Sequence, residues 1–177
     1  TSLSVVATPW STPRPAWSDP QNPDRKAIKM ILDEYNEFCD ATSLNTGAAG
    51  TYNIGDVIDL GVARNLGGDQ ALYLVVTVDT GITVAASTGT VQFQLVSDGT
   101  DTIATNGTQS IHAISKAHAT STTAIAAGSV LMAVQVPLEG STAYERYLSV
   151  QQVTGTTAIN AGKVNAFLTT DVASWKS

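Results

Sequence analysis

A period-two alternation of apolar and polar residues is the feature that most constrains how this chain can fold. It is clearest in 71–79, where four apolar side chains share one face: Leu72, Leu74, Val76 and Val78. Such alternation buries one face of a strand and leaves the other exposed, as in an antiparallel sheet packed on a second sheet. The pattern therefore predicts strands rather than surface helices.

Similar runs recur along the chain and are separated by turn-forming residues. The clear runs span 90–97, 129–136, 144–153 and 163–171, and weaker ones span 56–61, 101–105, 109–115 and 119–125. The turn signals between them include Gly67-Gly68-Asp69, Ser97-Asp98-Gly99 and Asn106-Gly107. About eight short antiparallel strands in a chain of this length are typical of an all-β sandwich of the jelly-roll type.

The stretch 30–46 leaves two alternatives open. Ile31, Tyr35 and Phe38 fall at helical spacing, which suits a short helical turn. An edge segment of the sandwich suits the same residues equally well.

Residues 1–29 differ from the rest of the chain in composition. They hold five of the six prolines and two of the three tryptophans. Because proline lacks a backbone donor and restricts the residue before it, we expect this stretch to be extended and largely unpaired. The sequence therefore predicts an N-terminal arm, 1–29, followed by a jelly-roll domain, 30–177.

The arm has few residues that offset the entropy lost when it becomes ordered. Fixing its backbone costs about 30–60 kcal/mol, whereas burying one tryptophan returns on the order of 4–6 kcal/mol. We therefore expect the arm to become ordered only where it lies across a partner. Its expected partner-binding residues are Val5, Val6, Trp10, Arg14, Trp17 and Arg25.

The charge of the chain limits the classes of partner. The formal net charge is −6, and charged residues make up only 14% of the sequence. Nucleic-acid binding requires a basic patch, and the basic residues are dispersed apart from Arg25, Lys26 and Lys29. We therefore expect no nucleic-acid partner, and the low charge indicates that much of the exterior faces other protein.

Cysteine usage and hydropathy point to a protein made in the cytoplasm. Cys39 is the single cysteine, which excludes an internal disulfide and a thiol-ligated metal cluster. No apolar run reaches the length of about 18 residues that a membrane span needs. The first residues lack the basic and apolar regions of a signal peptide. We therefore expect no membrane partner.

Candidate catalytic groups are sparse. His112 and His118 are the only histidines, whereas a metal site of the cupin type needs a third. The candidate carboxylates for a glycoside-hydrolysing pair are Asp56, Asp59, Glu139 and Glu145. Nothing in the sequence brings two of them together, so we expect no catalytic residue, no metal and no cofactor. The sequence predicts that the protein is not an enzyme.

Two further expectations are structural. Asp59 and Arg64 are close enough in sequence to form an ion pair across the loop after the first strand. Trp175 lies near the carboxyl end, where a tryptophan either packs on the body of its own chain or docks on a neighbour. We treat Trp175 as a terminal anchor and leave those two alternatives open.

Several segments, taken in order, resemble the capsid cement (decoration) proteins of short-tailed bacteriophages. The first is 57–64, which begins Val-Ile-Asp-Leu-Gly, followed after Gly67-Gly68 by 72–78. The others are 128–131 leading to Pro137, then 145–148, 161–164 and 168–171, and the start at 30–33 is also similar. The resemblance covers 30–172, and none of its motifs is of a catalytic type. The arm 1–29 departs from the usual pattern.

The resemblance implies a structural virion protein that is made in the bacterial host cytoplasm. Such a protein would sit as a homodimer or homotrimer on the exterior of a tailed-phage head and bind the major capsid protein. It would cement neighbouring capsid subunits and so stabilise the shell against DNA pressure. Because jelly rolls also serve as lectins, the alternative is a carbohydrate- or host-receptor-binding module on the virion surface.

Overall fold

The computed structural model describes residues 33–66, 68, 70–84, 88–120, 124–138 and 142–175. The chain divides into a segment, Thr1–Ile31, and a compact unit, Leu32–Ser177. The predicted arm lies outside the described residues, as do all six of its expected partner-binding side chains: Val5, Val6, Trp10, Arg14, Trp17 and Arg25.

The described residues form nine strands, and every pair of neighbouring strands is antiparallel. The strands are β1 (Glu37–Ser43), β2 (Gly50–Asp59), β3 (Tyr73–Val84), β4 (Thr90–Asp98), β5 (Ser110–Ile114), β6 (His118–Ala119), β7 (Val130–Gln135), β8 (Tyr147–Gly155) and β9 (Ile159–Thr169). Short 3-10 turns, Glu34–Asn36 and Ala173–Trp175, stand before β1 and after β9.

The strand order defines a jelly roll. One sheet has the order β1-β9-β3-β7, and the other has the order β2-β8-β4-β5, with the short β6 paired to β4. Without β6, eight strands form two four-stranded sheets, as in a jelly roll built from two Greek keys. Among these eight, consecutive strands lie in opposite sheets except β4 and β5, which pair within the second sheet. This order confirms the predicted all-β jelly-roll sandwich.

The core lies between the two sheets and follows the alternation in the sequence. Leu74, Val76 and Val78 of β3 are at most 2% exposed, and Phe93 and Leu95 of β4 are fully buried. On β9 the predicted inward residues are also buried: Val164, Ala166 and Leu168. Burial of alternate β-branched and aromatic residues favours a pleated backbone, which explains why these segments form strands.

The weak runs differ from expectation in three places. The predicted strand 101–105 is wrong, because this segment is a loop. A carboxylate fixes its conformation, since Asp98 accepts backbone hydrogen bonds from Thr100 at 3.3 Å and Ala104 at 3.0 Å. In the described part of the run 119–125, Ala119 ends β6 and Ile125 forms an isolated bridge with Ile82, while 56–61 is the end of the longer β2.

In the described part of 30–46, the structure has features of both alternatives, the short helical turn and the edge segment. The strand β1 is an edge segment of the first sheet. Within the described residues, β1 is preceded by a 3-10 turn, Glu34–Asn36, capped by Asp33, whose carboxylate accepts the Tyr35 N–H at 3.1 Å.

Candidate functional site

One end of the sandwich gathers the described parts of three loops, which connect strands that end and begin there: 60–66 with 68 and 70–72, 99–109, and 136–138 with 142–146. Two segments that carry the resemblance, 57–64 and 145–148, meet at this end. They meet because β2 pairs with β8 in a register that places Asp59 opposite Tyr147.

Asp59 forms an ion pair with Arg146, not with Arg64 as the sequence suggested. The Arg146 Nε and Nη2 atoms donate to the two Asp59 oxygens at 2.8 and 2.7 Å. Arg64 instead donates to the backbone carbonyl of Leu60. Proximity along the chain misled the prediction, because the strand pairing brings Arg146 next to Asp59 across 87 positions.

Further contacts around this ion pair fix the corner after β2. The Asp59 carboxylate also accepts the Gly61 N–H at 2.7 Å, and these donors lower the pKa of Asp59 to about 2. Gly61 has φ +75°, a left-handed conformation that favours glycine. The Leu60 N–H donates to the Arg146 carbonyl at 2.9 Å. The segments 57–64 and 145–148, which carry the resemblance, therefore stabilise the corner after β2.

A second cluster joins β4, β5 and the loop before β8. The Ser97 Oγ and His112 Nε2 atoms lie 2.7 Å apart, and the Glu145 N–H donates to Ser97 Oγ at 2.9 Å. The His112 ring stacks on the Tyr144 ring with centroids 3.7 Å apart. Burial lowers the pKa of His112, and the charge of Glu145 opposes that shift.

This cluster has the residue types of a hydrolytic triad but not the access that one needs. The Ser97 side chain is fully buried, and its oxygen already accepts a backbone N–H. The Glu145 carboxylate accepts the Ser110 hydroxyl at 2.7 Å. A nucleophile must present its oxygen to a substrate, so the Ser97 contacts are those of a structural joint.

The two histidines have separate partners. His118 Nε2 lies 2.7 Å from the Leu131 carbonyl oxygen, whereas His112 contacts Ser97 and Tyr144. Within the described residues, no group of three or more His, Cys, Asp and Glu side chains is arranged to hold a metal ion. Of the four carboxylates considered for hydrolysis, Glu139 lies outside the described residues.

A hollow of about 420 Å³ beside β1 is lined by carboxylates and one thiol. Its lining residues are Glu34, Glu37, Phe38, Cys39, Asp40 and Asp56. Burial raises the pKa of the Cys39 thiol to about 11. The thiol is therefore protonated at neutral pH and is a poor nucleophile.

The outer face of the second sheet carries a layer of buried amides that the sequence analysis missed. Gln151 is fully buried, and its Nε2 donates to the Asn53 side chain and the Ala104 carbonyl, each at 2.7 Å. Its Oε1 accepts from Gln94 at 2.8 Å and from Gln109 at 3.1 Å. All four hydrogen-bonding positions of this amide are used.

The amide layer fastens the loop 99–109 to the sheet. Asn53 donates to the Ile103 carbonyl at 2.9 Å, and the Gln109 Oε1 accepts the Gly107 N–H at 3.0 Å. The loop carbonyls and the Gln109 side chain therefore replace water on this face. The signal was present in the sequence as two adjacent glutamines, 151–152, between Val150 and Val153.

Gln152 fastens another loop, on the opposite face of the second sheet. It is fully buried, accepts the Asn45 N–H at 2.9 Å and donates to the Asn45 carbonyl at 2.9 Å. These two bonds hold the loop between β1 and β2.

Exposed apolar side chains are the remaining candidates for a partner surface. In the described part of the chain, the exposed large hydrophobic residues are Tyr35, Val62, Ile111, Ile114 and Leu138. Trp175 is placed against its own chain, because its ring meets the Phe167 ring edge-on with centroids 5.1 Å apart. That contact corresponds to the first of the two alternatives for a terminal anchor.

The fold and these contacts define a jelly-roll protein whose buried glutamine side chains fasten its own loops. The chain belongs to the Bbp16 family, whose model matches residues 38–168, from β1 to β9. This is a phage-type family, so the chain is a phage-related protein. No curated protein matches the chain. Among the described residues, no helix is long and apolar enough to cross a membrane.

Proposed function

We propose that this protein is a structural virion protein that binds the outer surface of a tailed-phage head. It cements neighbouring major capsid subunits and stabilises the shell against DNA pressure, and it has no catalytic role. The observation that carries the proposal is the match of a phage-type family over nearly the whole jelly roll.

The internal fastening of the loops supports this role. A protein that braces a shell must transmit force without yielding, and fully paired buried amides make a sheet and its covering loop rigid. Gln151 and Gln152 fasten loops on opposite faces of the second sheet. The loops at both ends are thus presented as preformed contact surfaces, which lowers the entropy lost on binding.

The charge of the chain supports an exterior position. A net charge of −6 would repel packaged DNA, whereas it is compatible with the outside of the shell. The proposed partners are the major capsid protein and further copies of this chain, as a homodimer or homotrimer. Modest contacts repeated by the symmetry of the shell would add up to strong attachment.

Phage heads that lack this protein provide the test. Purified full-length protein should bind such heads until a fixed ratio to the major capsid protein is reached, measured by sedimentation and quantitative mass spectrometry. It should also raise the temperature at which the heads release DNA. Absence of the protein from purified virions, or heads that neither bind it nor gain stability, would refute the proposal.

The arm gives the proposal a second test. Deleting residues 1–29 should leave the circular dichroism of the jelly roll unchanged and weaken head binding at least about tenfold, because linked contacts multiply affinity. Undiminished binding by the shortened protein would refute the role of the arm.

Binding to a glycan or host receptor is the alternative outcome of these experiments. Sugar sites commonly present aromatic faces, and among the exposed large hydrophobic side chains of the described residues only Tyr35 is aromatic. Retention on host cells or on a glycan array, together with absence from the head surface, would favour this alternative.

A further inference from the structure

The strand β5 is the last strand of the second sheet. It pairs with β4, and no strand in the described part of the chain covers its other side. A free strand edge presents backbone donors and acceptors that readily pair with another chain.

A bulge at His112 concentrates apolar side chains on the outer face of this strand. Val96 pairs with Ile111 and Leu95 pairs with Ala113, so His112 is the extra residue. Strict alternation would place Ile111 and Ile114 on opposite faces. With the bulge, both point outward, and they are 39% and 54% exposed. Bulges commonly re-aim side chains in this way.

Two of the other three edge strands, β1 and β2, are protected against pairing with another chain. The strand β1 carries Glu37 and Asp40 and has two register shifts, and β2 carries Asp56 and Asp59 and has one. Charges and irregular register on an edge oppose pairing with another chain.

The fourth edge strand, β7, is uncharged but exposes no large apolar side chain. Its exposed residues are Ala133 and Gln135, and Leu131 and Met132 are buried. The Leu131 carbonyl is also bonded by His118. Of the four edge strands in the described structure, β5 is therefore the one that combines a strand without charged residues with exposed aliphatic side chains.

The charges at the two ends of β5 are opposite. Lys116 follows the Ile114 end, is exposed and has no ion-pair partner among the described residues. The Ser110 end adjoins acidic groups, since the Ser110 hydroxyl donates to Glu145, β4 ends at Asp98 and the turn after it carries Asp101.

We propose that two copies of this chain associate through β5, with the two strands antiparallel across a two-fold axis. This arrangement places Lys116 of each copy against the acidic end of its partner's strand. It buries Ile111 and Ile114 against the same residues of the other copy. The inference specifies the surface for the self-association within the proposed function and rests on that proposal.

The observations favour a second copy over a different partner. Two chains that each carry a net charge of −6 repel, so they associate best through a surface that is uncharged at its centre. A strand with a basic end and an acidic end is complementary to itself only when it is antiparallel to its copy. A two-fold interface requires such self-complementarity.

Sedimentation velocity of the full-length protein tests the proposal without phage heads. Wild-type protein should be a dimer at about 100 μM. Ile114→Asp should raise the dissociation constant at least about a hundredfold, because each dimer then buries two unpaired charges. Lys116→Glu should raise the dissociation constant about fivefold, since each dimer contains two exposed contacts between Lys116 and the acidic end of the other copy's strand.

Two control variants match these changes elsewhere on the surface. Leu138→Asp changes an aliphatic residue whose exposure, 55%, is close to the 54% of Ile114, and Lys163→Glu reverses an exposed lysine on β9. Both should leave the dimer unchanged, and the thermal unfolding of all four variants should stay close to that of the wild type.

A monomer at about 100 μM, or an equal loss of dimer in the test and control variants, would overturn the β5 interface. A dimer that dissociates as expected but never binds heads would instead refute the proposed function and leave the interface standing.

Discussion

The protein contains two buried layers that are held together by different forces. Between the sheets lies an apolar core that includes Phe93, Leu74 and Val76, all fully buried. Outside the second sheet lies the amide layer, in which Gln94, Gln109 and Gln151 are also buried but bond to one another. Burial is nearly equal in the two layers, so the chemistry of contact distinguishes them.

The two layers should lose stability in different ways. An apolar layer loses stability in proportion to the volume removed, because neighbouring side chains relax only partly into a cavity. An amide layer fails through its partners, since one deletion leaves several buried donors and acceptors without a bond. The apolar layer should therefore control global stability, and the amide layer should control the attachment of the loop 99–109.

The largest expected effect is in the apolar layer. Phe93→Ala should lower the free energy of unfolding by about 3–5 kcal/mol, because it leaves a cavity at the centre of β4. Guanidinium denaturation followed by circular dichroism measures this loss. Val62→Ala, at a side chain that is 61% exposed, is the control and should have little effect. A loss below about 1 kcal/mol for Phe93→Ala would contradict the assigned core.

A smaller effect is expected in the amide layer. Gln151→Leu should cost about 2–4 kcal/mol, because Asn53, Gln94 and Gln109 each lose a buried partner. The variant should accelerate hydrogen exchange in the loop 99–109 more than it does in β3 and β9.

The control for that variant is Gln135→Leu, at an exposed position on β7. It should leave both exchange and stability unchanged. If Gln151→Leu lowers protection uniformly and spares the loop, the amide layer does not fasten it.

The smallest effect is expected at the exposed Asp59–Arg146 pair, which belongs to neither layer. Arg146→Gln should raise the pKa of Asp59 from about 2 toward its ordinary value of 3.8, because the guanidinium no longer favours the carboxylate. Nuclear magnetic resonance titration of the carboxyl group measures the shift.

The pair should also leave a signature in the pH dependence of stability. Because the pKa is lower in the folded state, its contribution is present above pH 3.8 and is lost as the pH falls toward 2. Wild type should lose stability in this window by slightly more than Arg146→Gln does. Identical pH profiles would show that the pair contributes nothing.

Alternation predicted the apolar layer but not the amide layer. The inward faces of β3, β4 and β9 follow directly from period-two patterns, because hydrophobic burial depends on local spacing. The amide layer depends on a loop that folds back onto the sheet, and a glutamine has the same pattern whether it is buried or exposed. Gln151 was therefore overlooked.

The same reason explains the wrong partner predicted for Asp59 and the exposed residues on β5 that the sequence did not reveal. The partner of Asp59 is set by the pairing of β2 with β8, which sequence proximity cannot reveal. The orientation of Ile111 and Ile114 depends on a bulge at His112, which breaks the alternation from which faces are predicted. Tertiary pairing decides both, so only the structure could place them.

An electron-microscopy map of intact particles of the phage that encodes this protein tests the central claim most directly. We expect density for this jelly roll on the outside of the head, bridging neighbouring major capsid subunits. Particles whose outer shell carries no such density, or in which the protein lies on the inner surface or the tail, would contradict it.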